Sequence, residues 1–84
     1  MEEPVFKRIR CMHCPRYAHY DKVSKTRIYI DVDLDGEVIN IAWKPPKHPK
    51  NEIYPQKDLR GMGMDFQKAA QFGLDVARSN ILKK

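Results

Sequence analysis

No run of apolar residues in this chain of 84 residues comes near the roughly 20 that a membrane-spanning helix requires, so a helical span is excluded. The N-terminal Met-Glu-Glu-Pro is acidic and lacks an apolar stretch, so no secretory signal is expected and a cytoplasmic location is. Cysteine is scarce: Cys11 and Cys14 stand alone, and in a reducing compartment such a pair is expected to be thiols rather than a bridge. No internal repeat and no second domain is visible. A chain of this size buries only about 60–65% of the surface its unfolded form exposes, so its stability is marginal without some further tie.

Hydrophobic residues at 42% and charged residues at 32% describe an ordinary soluble globular domain, too apolar to be disordered. The net charge of +5 is segregated along the chain. Residues 1–27 hold seven Lys/Arg against three acids, residues 28–43 hold four acids and no base, and residues 44–63 hold five bases against two acids. A basic face and an acidic face can therefore coexist on one small body. The single domain divides into a basic Cys/His segment (1–27), an acidic hairpin (28–43), a Lys/Pro-rich loop (44–63) and a helix (64–84).

Ile28, Ile30, Val32 and Leu34 alternate with Arg27, Tyr29, Asp31 and Asp33 at strand period. Asp35-Gly36 supplies residues suited to a type I′ turn. That turn would set Leu34 against Glu37, Val32 against Ile39, Ile30 against Ile41 and Ile28 against Trp43, with Arg27 against Lys44 on the other face. A one-residue slip would scramble both faces, so the register is well specified. A helix is expected from about Phe66 to Leu82, N-capped by Asp65, with Phe66, Phe72, Leu74 and Val76 around a stripe of Ala69, Ala70, Gly73 and Ala77. Gly73 points to close approach by a bulky side chain, for which Trp43 and Ile41 are the candidates. Residues 5–11 alternate weakly as a third strand, with Val5, Ile9 and Cys11 on one side. Pro45, Pro46, Pro49 and Pro55, interleaved with lysines, give an extended connection over residues 44–63. The fold class is α+β: a small antiparallel sheet centred on the 27–44 hairpin, with the C-terminal helix (about 66–82) packed on its apolar face.

Cys11-x2-Cys14 has the spacing with which a turn brings two thiolates to one zinc ion, and His19 follows five residues on. Extended to Cys11-x2-Cys14-x4-His19-x4-Ser24, it resembles the zinc knuckles of retroviral nucleocapsids, with serine where the last ligand stands. The order knuckle, hairpin, helix is also similar to a treble-clef finger. The resemblance implies zinc on Cys11, Cys14 and His19. The same Cys-x-x-Cys resembles glutaredoxin in length and position, which implies thiol–disulfide chemistry. Asp31-x-Asp33-x-Asp35-Gly36 matches the first half of a calcium loop, but Ala42 stands where the closing Glu is needed, so the plainer reading is a solvated hairpin face.

Lysines and arginines interleaved with aromatic rings suit phosphate contact and base stacking on single strands. The residues expected to make them are Lys7, Arg8, Arg10, Arg16, Tyr17, Lys44, Lys47 and Lys50. The leading expectation is a small non-enzymatic protein that binds single-stranded nucleic acid through the basic N-terminal segment and the Lys/Pro loop. The second is a protein-interaction module or small regulator presenting Asp31, Asp33, Asp35 and Glu37 to a basic partner, and the third is the redox protein.

Overall fold

The structure, a computed structural model, describes residues 5–10 and 15–82. Cys11 and Cys14 lie outside the described residues. Among those described, five antiparallel strands follow one another as β1 (Lys7–Arg10), β2 (Arg16–Asp21), β3 (Thr26–Val32), β4 (Val38–Lys44) and β5 (Gln56–Asp58), and α1 (Phe66–Leu82) closes the chain. The sheet order is the sequence order, so each strand pairs only with its chain neighbours. No helix in the described residues is long and apolar enough to cross a membrane.

Strand period puts Ile28, Ile30 and Val32 of β3 and Ile41 and Trp43 of β4 on one face, and α1 lies across it. Ile28, Ile30 and Ile41 are fully buried, joined by Leu59 and by Ala69, Ala70, Leu74 and Ala77 of the helix. Asp65 caps α1 as its sequence position suggests, accepting a hydrogen bond from the Lys68 amide at 2.8 Å. At Gly73 the helix touches the sheet. A Cβ there would sit 2.8 Å from Ile41 Cδ1 and 2.9 Å from Ile28 Cγ2, closer than carbon atoms pack. Beside it the Trp43 indole N–H donates to the Gly73 carbonyl at 2.9 Å.

The expected pairing holds from Arg27↔Lys44 to Asp31↔Asn40 and then shifts. Val32 faces Val38 rather than Ile39, which is the extra residue of a β-bulge. The cause is the turn, which is not type I′. Among the hairpin's turn residues only Gly36 has positive φ, at 86°. The chain closes instead by a hydrogen bond from the Gly36 amide to the Asp33 carbonyl, while the Asp33 carboxylate accepts from the amides of Asp35 and Glu37. Asp33 supplies that acceptor two residues before the turn the dipeptide suggests, and Leu34 is left on the turn, 80% exposed. The facing of the first strand is also reversed. Val5 and Ile9 are exposed, whereas Phe6 packs edge-on to Phe66 at 5.4 Å and joins the core.

Two strands lack a readable sequence pattern. In β2 the inward positions include His19 and Asp21 and the outward ones Ala18 and Tyr20, so polarity does not alternate. β5 interrupts what reads as an extended Lys/Pro connection. It is exposed throughout and is held at its flanks by Trp43 N–H to the Pro55 carbonyl and Leu59 N–H to the Ile39 carbonyl.

Candidate nucleic-acid interface

Among the described residues, the face of the sheet away from α1 carries no second helix. Tyr29 and Ala42 on it are nonetheless buried, and the 45–55 loop folds back over Tyr29. Tyr54 of that loop stacks on Tyr29 with the rings 5° from parallel and 6.0 Å apart, and His48 meets the Tyr54 ring edge-on at 4.9 Å. Lys44 lies over the same ring. The stack fixes where the loop leaves β4, and so where Lys47 and His48 stand.

At the end of the sheet beside this loop is a cleft of about 390 Å³. Tyr20, Arg27 and Lys44 form one rung across β2, β3 and β4, since Tyr20 pairs with Arg27 and Arg27 with Lys44. Lys25 from the β2–β3 turn and Lys47 from the loop complete the lining with His48, Pro45 and Pro46. Four cations line this space, and no carboxylate does.

Two features of the cleft cost stability. Arg27 directly opposite Lys44 is a like-charge cross-strand pair, which disfavours strand pairing. Lys25 and Lys47 have φ of 55° and 61°, and no other non-glycine residue among those described has positive φ. The left-handed conformation costs a side-chain-bearing residue about 1 kcal/mol or more relative to glycine. Both strained residues are lysines, one on each wall of the same cleft.

Asp21 holds Lys25 in place. Its carboxylate, almost wholly buried at the end of β2, accepts from the Ser24 hydroxyl at 2.7 Å and the Ser24 amide at 3.2 Å. Arg78 of α1 reaches it through two further hydrogen bonds, at 2.9 and 3.2 Å, tying the turn to the helix. Burial alone would raise the Asp21 pKa, but the hydrogen bonds from Arg78 and Ser24 outweigh it and hold the pKa at about 2. A pKa lowered by folding stabilises above the unfolded value and loses that stabilisation as pH falls through the folded one. Wild type should therefore lose about 2 kcal/mol between roughly pH 4 and pH 2, on top of what other carboxylates contribute. Urea titrations at a series of pH values should show Asp21→Asn less stable at neutral pH and flatter across that window. Parallel curves for the two proteins would remove Asp21 from this role.

The other residues expected from the sequence are dispersed. Arg16 is held by Asp31 in a two-pronged ion pair at 2.6 and 3.0 Å, with its guanidinium over the Tyr29 ring. Asp31 is itself buried and also accepts from Asn40, so the hairpin face is not the solvated acidic surface its sequence suggests. Asp33 is engaged in the turn, which leaves Asp35 and Glu37 exposed. Tyr17 is no free stacking ring, because it packs edge-on to Phe66 at 5.2 Å on the helix side. Lys7 and Arg8 lie exposed on β1, and Arg10 pairs with Arg16 at its end. Lys50 is exposed on the loop, and Lys44 and Lys47 line the cleft. His19 has its Nδ1 3.2 Å from the Val5 carbonyl and its ring against Phe6. No group of three metal-ligating side chains occurs among the described residues. Lys25 and Arg27 belong to the basic cluster of the sequence, but their meeting with Lys47 depends on β2, which the sequence pattern conceals. Compared with known proteins, the chain matches no protein-family model, no curated protein and no solved structure.

Proposed function

We propose that this protein is a small non-enzymatic binder of single-stranded nucleic acid that grips phosphate in the cleft between the β2–β3 turn and the 45–48 loop. The observation that carries this reading is the convergence of Lys25, Arg27, Lys44 and Lys47 on one space with no acid among its lining residues. A bound phosphate offsets the repulsion between Arg27 and Lys44, and the arginine adds a planar fork that matches phosphate oxygens. Tyr20, half exposed in the same rung, offers a ring on which a base can stack. Lys7, level with Ala18 on the same sheet face, extends the basic surface toward β1.

Lysine and arginine on phosphates release counterions, so affinity for a single strand should fall with salt at a slope of about −0.7 per phosphate neutralised. Fluorescence anisotropy of a labelled single strand at several salt concentrations tests this. Arg27→Ala with Lys44→Ala should weaken binding about tenfold or more and flatten the slope by one to two contacts, roughly −0.7 to −1.4. Lys7→Ala with Arg8→Ala should have a smaller effect, and Asp35→Ala with Glu37→Ala should leave affinity unchanged or raise it. Wild-type binding that vanishes near physiological salt would end the reading. The acidic-hairpin alternative would gain if, in addition, a basic protein partner were lost on replacing Asp35 and Glu37.

A further inference from the structure

We infer that the cleft selects the terminal phosphate monoester of a strand over the phosphodiesters within it. This rests on the single-strand reading above and deepens it. The first ground is charge. An internal nucleotide brings one negative charge and two free phosphate oxygens, whereas a phosphate monoester brings nearly two charges and three strong acceptor oxygens. A space of about 390 Å³ has room for about one nucleotide, yet four cations line it. Four cations exceed the single charge of a phosphodiester and are used more fully by the nearly two charges of a monoester.

The second ground is the surroundings. The rung of Tyr20, Arg27 and Lys44 is the last on the open face, and the rest of the cleft lining is Lys25 and Lys47 with Pro45, Pro46 and His48. In the other direction along the open face lie the Tyr29–Tyr54 stack, then Asp31, whose charge Arg16 takes up, and Asp58 beside Arg60. Arg16 and Arg60 on that side are each matched by a carboxylate, so a phosphate gains less there than in the cleft. Approach on the diagonal, from Lys7 on β1 past Ala18 to Tyr20 on β2, meets no carboxylate among those residues. A strand lying that way has its end in the cleft. The third ground is that Lys25 and Lys47, both of left-handed backbone, both line this cleft, where glycine would relieve the conformation and remove the charge.

The test uses one internally labelled oligonucleotide in four forms: 5′-phosphorylated, 3′-phosphorylated, hydroxyl at both ends, and circular. One of the phosphorylated forms should bind about tenfold tighter than the hydroxyl-ended and circular forms. Lys25→Gly and Lys47→Gly should abolish that advantage while remaining folded, because glycine adopts positive φ without strain, and Trp43 emission checks the fold. Equal affinity for all four forms would overturn the inference and leave the single-strand reading standing. No binding of any form would overturn both. Competition by inorganic phosphate or a mononucleotide at the same concentration as the phosphorylated strand would overturn it in favour of a small-molecule phosphate site.

Discussion

Ile30→Asp is expected to leave the protein unfolded at neutral pH. Ile30 is fully buried at the centre of β3, between Tyr17 of β2 and Ile41 of β4, with the helix over it. It belongs to the hydrophobic cluster that includes Ile28, Ile41, Leu59 and Leu74. Placing a carboxylate in that position costs several kcal/mol even after its pKa rises, and a domain of this size is stable by only about 4–12 kcal/mol. Its neighbour Asp31 is the control. Asp31→Asn removes the carboxylate that holds Arg16, but Arg16 is partly exposed and can turn to water, so the loss should be about 1–2 kcal/mol with the fold retained. Emission from Trp43, the single tryptophan and a buried one, follows unfolding in urea for both variants. Equal tolerance of the two substitutions would contradict the observed register.

The second large effect is at Gly73. In an exposed helix interior, Gly→Ala stabilises by about 1 kcal/mol. Here the sign should reverse. The new Cβ would meet Ile28 Cγ2 at 2.9 Å and Ile41 Cδ1 at 2.8 Å, in a site sealed by both side chains. The Ile41 methyl ends a side chain and can rotate, but the Ile28 methyl branches from Cβ and moves only with its strand. Gly73→Ala should cost about 1–3 kcal/mol by overpacking, and Gly73→Leu should prevent the helix from docking. Combining Gly73→Ala with Ile41→Val removes one of the two clashes, so the pair should cost less than the sum of the single changes. A stabilised Gly73→Ala would show that helix and sheet stand further apart than described.

Both expectations concern positions whose place is legible in the sequence, and that is no coincidence. The β3–β4 hairpin and α1 each set an apolar face against the other, and that writes period-2 or period-3.6 polarity into the chain. The Asp65 cap and the Gly73 contact follow from the same patterns. What the sequence conceals are segments whose faces are both mixed. β2 turns Asp21 inward because Arg78 and Ser24 satisfy it there, and no local pattern announces a partner 57 residues away. The turn at Asp33–Gly36 was decided by a side-chain acceptor outside the Asp-Gly dipeptide. For the site, the pairing of Arg27 with Lys44 can be read from the hairpin register. Its meaning emerges only once β2 and the Tyr54 stack bring Lys25 and Lys47 to the same end of the sheet.

The unbroken order of the five strands bears on how fast the molecule assembles. Each strand finds its partner one turn or loop away, so no pairing must wait for a distant segment to arrive. Chains with such local connectivity lie toward the rapid end for sheet-containing domains, in the range of about milliseconds. The β3–β4 hairpin, with its short turn and four isoleucines, is the natural nucleus, and β2 adds to it with equally little loop closure. The contacts of longest reach are those of α1 with the N-terminal half of the sheet, through Phe66 to Phe6, Arg78 to Asp21 and Gly73 to Ile28. Docking of the helix should therefore be the late event, and the order of amide protection in a refolding experiment should run from β3 and β4 outward, with the helix face sealed last.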